Sequence, residues 1–320
     1  MKRAQSIFIT VLLIISISMV MASPKNKITI SVLKGPSGLS SAWMMSELSK
    51  TSPDEFEFIT VSGADMAVAK LLNGEIDAGV LPVNVAAKLY NSGVPIQALA
   101  VVGNGMVKFL TTDPTIEGLP DLKGKTIYIA GQKATPDYIF QYLCARRGLI
   151  AGTDYVPVYN LAYPEIAAGL ASGKISYAVL PEPFAAQAIL KNPAIKIPID
   201  ITKEWQSATN QSDYPMSLFV ARSSLVESSP DKIKILIDSY RASIQKAIQD
   251  PSGTGKLAES LGLGISAQIA TIAIPISNFV FIEAARATPN IEALLSVFLQ
   301  FDPVSIGGIM PNRSFYAQIQ

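Results

Sequence analysis

The hydrophobic positions of this 320-residue chain follow one pattern that occurs twice. Leu71 to Ala87 reads LLNGEIDAGVLPVNVAA and Leu170 to Ala186 reads LASGKISYAVLPEPFAA, a constant offset of 99 with eight of seventeen positions identical. Unrelated segments of ordinary composition would share roughly one or two. In each copy an apolar run, Ile76 to Leu81 or Ile175 to Leu180, has the length and continuity of a buried strand. Gly74 and Gly173 sit where a helix ends in left-handed backbone, and Pro82 and Pro181 close the runs. Each copy therefore predicts a helix, a tight turn, a strand and a turn into another helix.

A weaker echo precedes each copy. Lys27 to Val32 alternates apolar and polar residues and leads through Gly35-Pro36-Ser37-Gly38 into a helical stretch, and Lys125 to Ala130 leads through Gly131 to Pro136 into another. Two such units predict two similar α/β lobes, since a solenoid needs at least three repeats. Beyond them, Pro215 to Arg222 reads as a strand. Ser229-Pro230 starts a long helix with an apolar stripe at Ile233, Leu236, Ile237, Tyr240, Ile244, Ala247 and Ile248. Shorter helices are expected over Ala267 to Ala273 and Ile291 to Phe301. No polar linker isolates this C-terminal material, so it is expected to return and complete the first lobe. The division expected is 23–105 with 212–320 as one lobe and 106–211 as the other.

The N-terminus changes the picture of where the chain works. Lys2 and Arg3 precede an apolar run from Ile7 to Met21, and Val20-Met21-Ala22 presents short residues at a cleavage position. The run is shorter than the ~20 residues of a spanning helix and is followed by polar Ser23 to Lys27. A signal peptide over residues 1–22 and a mature chain free in a periplasm are expected, without a lipid anchor because no cysteine stands at the cleavage site.

Composition acts mainly by exclusion. The sequence has no histidine, which removes imidazole-based triads and metal sites, and a single cysteine, Cys144, which cannot form an internal disulfide and is expected to pack. A net charge of +1 supplies no field for nucleic acid or an acidic membrane surface. No metal, cofactor or catalytic residue is implied.

In open α/β sheets ligands sit beyond the carboxyl ends of the strands, at helix N-termini. Four strand-to-helix turns qualify: Gly35 to Gly38, Pro82 to Asn84, Gly131 to Asp137 and Pro181 to Phe184. The candidate ligand-binding residues are Gly35, Pro36, Ser37, Gly38, Trp43, Asn84, Thr135, Glu182 and Phe184, with Trp43 and Phe184 as alternative stacking rings. Ser37 and Thr135 also suit helix caps, Asp137 suits a helix dipole, and Ser62-Gly63-Ala64-Asp65 resembles a capping box. Lys34 and Lys133 are the only cations near the turns, with no arginine fork for an anion. A neutral or cationic organic ligand is favoured, a planar heterocycle being one option.

The order of KITISVLKGPSG, VAKLLNGEIDAGVLP, DLKGKTIYIAGQKATPDYIF, IAAGLASGKISYAVLPEPF, ITKEWQ and SLFVARSSLV resembles the nitrate/sulfonate/taurine/thiamine-precursor group of periplasmic substrate-binding proteins. The resemblance implies an α/β two-lobed periplasmic binding fold of type II, with two crossing strands near Gly103 to Lys108 and Pro215 to Val220. It implies a non-enzymatic solute-binding component of an ABC importer that captures a small organic molecule, serves permease and ATPase partners, and acts as a monomer. It also implies that Glu182 faces the ligand. As an exposed loop acid, Glu182 is expected to contribute little to folding, so its removal should leave folding nearly untouched. The alternatives are an enzyme of the same fold acting on a small carboxylate or pyrimidine precursor, and a ligand-sensing adaptor for a receptor.

Overall fold

Residues 27–319 are described by a computed structural model; the expected signal peptide lies outside the described residues. The elements are β1 (Ile28–Leu33), α1 (Pro36–Thr51), β2 (Phe56–Val61), α2 (Ala64–Leu72), β3 (Ala78–Pro82), α3 (Val83–Asn91) and β4 (Ile96–Asn104). They continue through β5 (Val107–Thr111), β6 (Thr126–Ile129), α4 (Thr135–Arg146), β7 (Val156–Val158), α5 (Tyr163–Ala171), β8 (Tyr177–Pro181), α6 (Phe184–Lys191) and α7 (Ile201–Thr209). The chain finishes with β9 (Pro215–Arg222), α8 (Ser223–Ser228), α9 (Pro230–Gln249), α10 (Pro251–Ser260), α11 (Ala267–Ala273), β10 (Ile282–Glu283) and α12 (Ala284–Phe301).

These strands make two sheets, one ordered β10-β4-β9-β3-β1-β2 and one ordered β5-β8-β6-β7. The trio β3-β1-β2 is parallel, and so is β8-β6-β7. Each trio is flanked by an antiparallel strand next to its third member: β9 beside β3, and β5 beside β8. The sequence repeat is thus a repeat of structure. Helices α2 and α5 and strands β3 and β8 start and stop 99 residues apart. Gly74 and Gly173 have φ of 77° and 76°, and their N–H groups return to Leu71 and Leu170. That left-handed C′ residue stops each helix and turns the chain into its strand.

The chain passes from the larger sheet to the smaller between Asn104 and Val107 and returns between Thr209 and Pro215. Both passages are tied together. The Asp213 carboxylate accepts from the Gly105 N–H at 3.1 Å and from Asn278 Nδ2 at 2.8 Å, and Asn278 Nδ2 also reaches the Gly105 carbonyl. A Cβ on Gly105 would lie 2.6 Å from Asp213 Oδ1 and 2.8 Å from the Tyr214 ring, so only glycine allows this approach.

Helix α9 packs on α1 and α12 on β4, burying Ile233, Leu236, Ile237, Tyr240 and Ile244. Ile248, read as part of that stripe, is 49% exposed although Ala247 beside it is buried, so it lies off the buried face of the same turn. Two further expectations need correction. Ser62 does not cap α2: its N-cap is Gly63, in extended backbone with no side-chain bond. Helix α12 begins at Ala284, not Ile291, and continues through Pro289. A proline five residues after the start removes a single hydrogen bond, to the Ala285 carbonyl, and burial of Ala287, Ile291, Leu294 and Leu295 outweighs it.

Gly173 isolates the energetic role of the turn, because a Cβ there would meet nothing within 4 Å. Gly173→Ala is expected to lose about 1–2 kcal/mol, the cost of left-handed backbone for a residue with a Cβ, measured by urea unfolding. Gly173→Asn should lose less; equal stability of all three proteins would show that the turn tolerates another conformation.

Candidate functional site

The carboxyl ends of β1 and β3 in one lobe face those of β6 and β8 in the other, and the four strand-to-helix turns meet there. Gly35 has φ 107°, and a Cβ on it would lie 3.0 Å from Phe184 of the opposite lobe. Pro36 opens α1 and Ser37 donates to the Leu33 carbonyl at 3.4 Å. Gly38 is forced by contact, since a Cβ would lie 2.8 Å from the Leu33 carbonyl oxygen. Beneath this turn a small open crevice is lined by Pro36, Ser37 and Ser40 of α1, by Val102 and Met106 around the first crossing, and by Phe279.

From the smaller lobe, Phe184 stacks on Tyr163 with ring centroids 5.3 Å apart and planes at 23°. Glu182 is 1% exposed. Its N–H donates to the Met106 carbonyl at 3.1 Å, and its Oε2 accepts from the Ala186 N–H at 3.0 Å inside the first turn of α6. Burial pushes the carboxyl up to about 7, against the opposing effects of the Ala186 bond and the Lys108 charge. The reading of Glu182 as an exposed loop acid is therefore corrected: Pro183 is the N-cap of α6, so Glu182 stands directly before that helix, and the folded chain covers the carboxyl.

Asn84 and Thr135, placed in different lobes, touch one another. Thr135 Oγ1 donates to Asn84 Oδ1 at 3.0 Å, and Asn84 Nδ2 donates to the Lys133 carbonyl at 2.8 Å. Thr135 is the first residue of α4, not its cap; the N-cap is Ala134. Asp137 holds the loop instead, accepting from the Lys133 N–H at 2.8 Å, from Gln141 Nε2 and from the Tyr159 hydroxyl; burial raises its carboxyl.

Trp43 is not part of this assembly. It lies seven residues past Pro36, roughly 10 Å along the axis of α1. Its Nε1 donates to Thr254 Oγ1 at 2.8 Å, and the Lys246 ammonium sits 3.5 Å above its ring. The remaining eight candidates converge. Met106 and Phe279 were not among them: Phe279 is far from the repeat in sequence, and only the antiparallel return of β10 against β4 carries it to the crossing.

Two α/β lobes joined by two crossings, with facing helix N-termini, define the type II periplasmic-binding fold of solute-binding proteins. The chain belongs to the NMT1-like family, whose sequence pattern matches residues 52–262. It is similar to the structure of an ABC transporter from Parabacteroides distasonis, with 27% identity over 92% of this chain and 100% of that one and a TM-score of 0.74. The periplasmic aliphatic sulphonate binding protein SsuA from Escherichia coli shares the fold at 17% identity, 93% and 94% coverage and a TM-score of 0.70. The nitrate-binding protein NrtA from Synechocystis does so at 12% identity, 87% and 82% coverage and a TM-score of 0.68. No curated protein matches the chain significantly in sequence. No helix among the described residues is long and apolar enough to cross a membrane.

The elevated Glu182 carboxyl links stability to pH. Its value is about 7 in the folded chain against an ordinary 4.5. Its protonation thus contributes stability that is complete below 4.5 and lost as pH rises through 7. Glu182→Gln keeps an acceptor for the Ala186 N–H without the charge. Its melting temperature, measured relative to wild type, should rise from pH 5 to pH 8. A constant difference over that range would remove Glu182 as a buried titrating group.

Proposed function

We propose that the protein is the solute-binding component of an ABC importer, closing its two lobes over a small organic molecule and delivering it to a membrane permease. The observation that carries this reading is the facing of strand-to-helix turns across one cleft, with Gly35 of one lobe against Phe184 of the other. The moving bodies are residues 23–105 with 212–320, and residues 106–211, each built on one sheet. The chain works as a monomer in a periplasm after removal of residues 1–22. If so, the mature N-terminus is Ser23 and the protein is released by osmotic shock, whereas recovery only with washed membranes would refute that location.

The ligand contacts we assign are Gly35, Pro36, Ser37 and Gly38 on one side and Glu182 and Phe184 on the other. The chemistry of this set favours an organic cation or a neutral planar molecule. The pocket wall is largely apolar, Phe184 and Tyr163 offer a stacked aromatic pair, and Glu182 is the acid next to Met106. A cationic donor would draw the Glu182 proton off and recover the desolvation cost of its charge.

Native mass spectrometry of protein purified without refolding should reveal the retained molecule, and calorimetry then tests its pairing. Glu182→Gln should weaken binding by about 1.5–3 kcal/mol, the worth of a charge-assisted bond. A cation should bind wild type about tenfold more tightly at pH 8 than at pH 6, following ionisation of a group near 7. Equal affinities of the two proteins would take Glu182 out of the site.

A further inference from the structure

We propose that Asn84 and Thr135 are the catch that fastens the two lobes to each other, and that they set how much of the protein is closed before any solute arrives. Asn84 opens α3 in the larger lobe and Thr135 opens α4 in the smaller one. Their donor hydrogens are all spent on each other and on nearby backbone. Thr135 Oγ1 donates to Asn84 Oδ1 at 3.0 Å and lies 3.4 Å from the Asn84 N–H, which donates to it. The two Nδ2 hydrogens of Asn84 reach the carbonyls of Lys133 at 2.8 Å and of Ser305 at 3.4 Å. Both side chains are buried, Asn84 at 1% exposure and Thr135 at none. Every donor hydrogen of the amide and the hydroxyl is therefore engaged within the protein, and none is left to donate to a solute.

A second feature points the same way. Lys133 has φ 62°, which is uncommon for a residue with a Cβ. Its N–H is held by Asp137 Oδ2 at 2.8 Å while its carbonyl accepts from Asn84. The left-handed turn is thus tied down from within its own lobe, and its carbonyl is directed across the gap. Opening the lobes would exchange each bond across the gap for one to water, a nearly even exchange. Each bond across the gap then adds a small net preference for the closed arrangement, and removing one moves the balance toward the open one.

The catch has a consequence for affinity. A solute that binds only the closed form sees an apparent Kd divided by the closed fraction, so the catch would tune affinity without touching the solute. This consequence rests on the solute-binding reading; the catch itself does not.

The test uses the mature chain, dialysed, with no solute added. Spin labels are placed at exposed Lys191→Cys in α6 and Lys256→Cys in α10, one in each lobe, and the distance distribution is read by double electron–electron resonance. Cys144 is fully buried and its thiol is pushed up to about 12 by burial, so it stays unlabelled. Thr135→Val replaces the hydroxyl with a methyl and leaves Asn84 Oδ1 without its donor. We expect a shift of the distribution by several ångströms toward a second, distinct population, as hinge opening produces. Thr135→Ser, which keeps the hydroxyl, should restore the wild-type distribution. An unchanged distribution in Thr135→Val, or an equal shift in Thr135→Ser, would overturn the proposal. Should Thr135→Val fail to fold by circular dichroism, Asn84→Ala replaces it, with the same shift expected and an unchanged distribution again overturning it. Because no solute enters the measurement, its failure would leave the transport reading standing, and failure of solute binding would leave the catch standing.

Discussion

The architecture depends on the insertion of β9 between β3 and β4. This strand pairs antiparallel with both, setting Val220 against Gly79 and Ala98 and setting Leu218 against Leu81 and Val101. Without it, the parallel trio β3-β1-β2 and the pair β4-β10 would have no hydrogen-bonded connection and two open edges. Because β9 follows the smaller lobe in sequence, the chain must leave the larger lobe after β4 and come back before β9. Two crossings are the necessary result. The return also brings α9 onto α1 and α12 onto β4, so that residues 200 apart in sequence, such as Ser40 and Tyr240, meet with their hydroxyl oxygens 3.0 Å apart.

That topology sets the chemistry of the cleft. Parallel strands with helices after them direct helix N-termini toward one end of each sheet, and the crossings hold those two ends opposite each other. The clasp of Asp213, Gly105 and Asn278 sits beside Met106 and Phe279, two of the pocket-lining residues, so the geometry of the crossing and the wall of the pocket are set by the same contacts. Most polar side chains near the cleft are committed to the protein itself: Asn84 to Thr135, Ser40 to Tyr240, Asp137 to the Lys133 loop. Glu182 differs, since one oxygen serves α6 while burial leaves the group poised between its charged and neutral forms.

Each lobe resolves the same repeat into different side chains at one place. The positions that coincide, Gly74 with Gly173 and Pro82 with Pro181, serve the turn and the strand end. Those that differ, Val83 with Glu182 and Asn84 with Pro183, stand where each strand passes into the next helix. Backbone requirements are common to both lobes because the strand and helix geometry is common. The side chains at the turns have no such shared constraint and diverge.

The sequence by itself determined the two α/β units, the boundaries of β9 and α11, the start of α9, and the left-handed turns at Gly74 and Gly173. Each of these follows from local backbone preference and from the periodicity of apolar residues, which act over a few neighbouring positions. It also placed eight of the nine candidate residues at the turns where the lobes meet, because a residue at the end of a parallel strand has its location fixed by the topology. Tertiary structure alone decided the rest. Trp43 faces α9 and α10 because the direction of a helical side chain depends on which partner helix is packed there, and that partner comes from 200 residues further on. Glu182 is covered instead of exposed because burial is a property of the assembled lobes, not of a four-residue turn. Asn84 and Thr135 bind one another because the distance between two lobes, and so the choice between a solute contact and a protein contact, exists only once both crossings have been made.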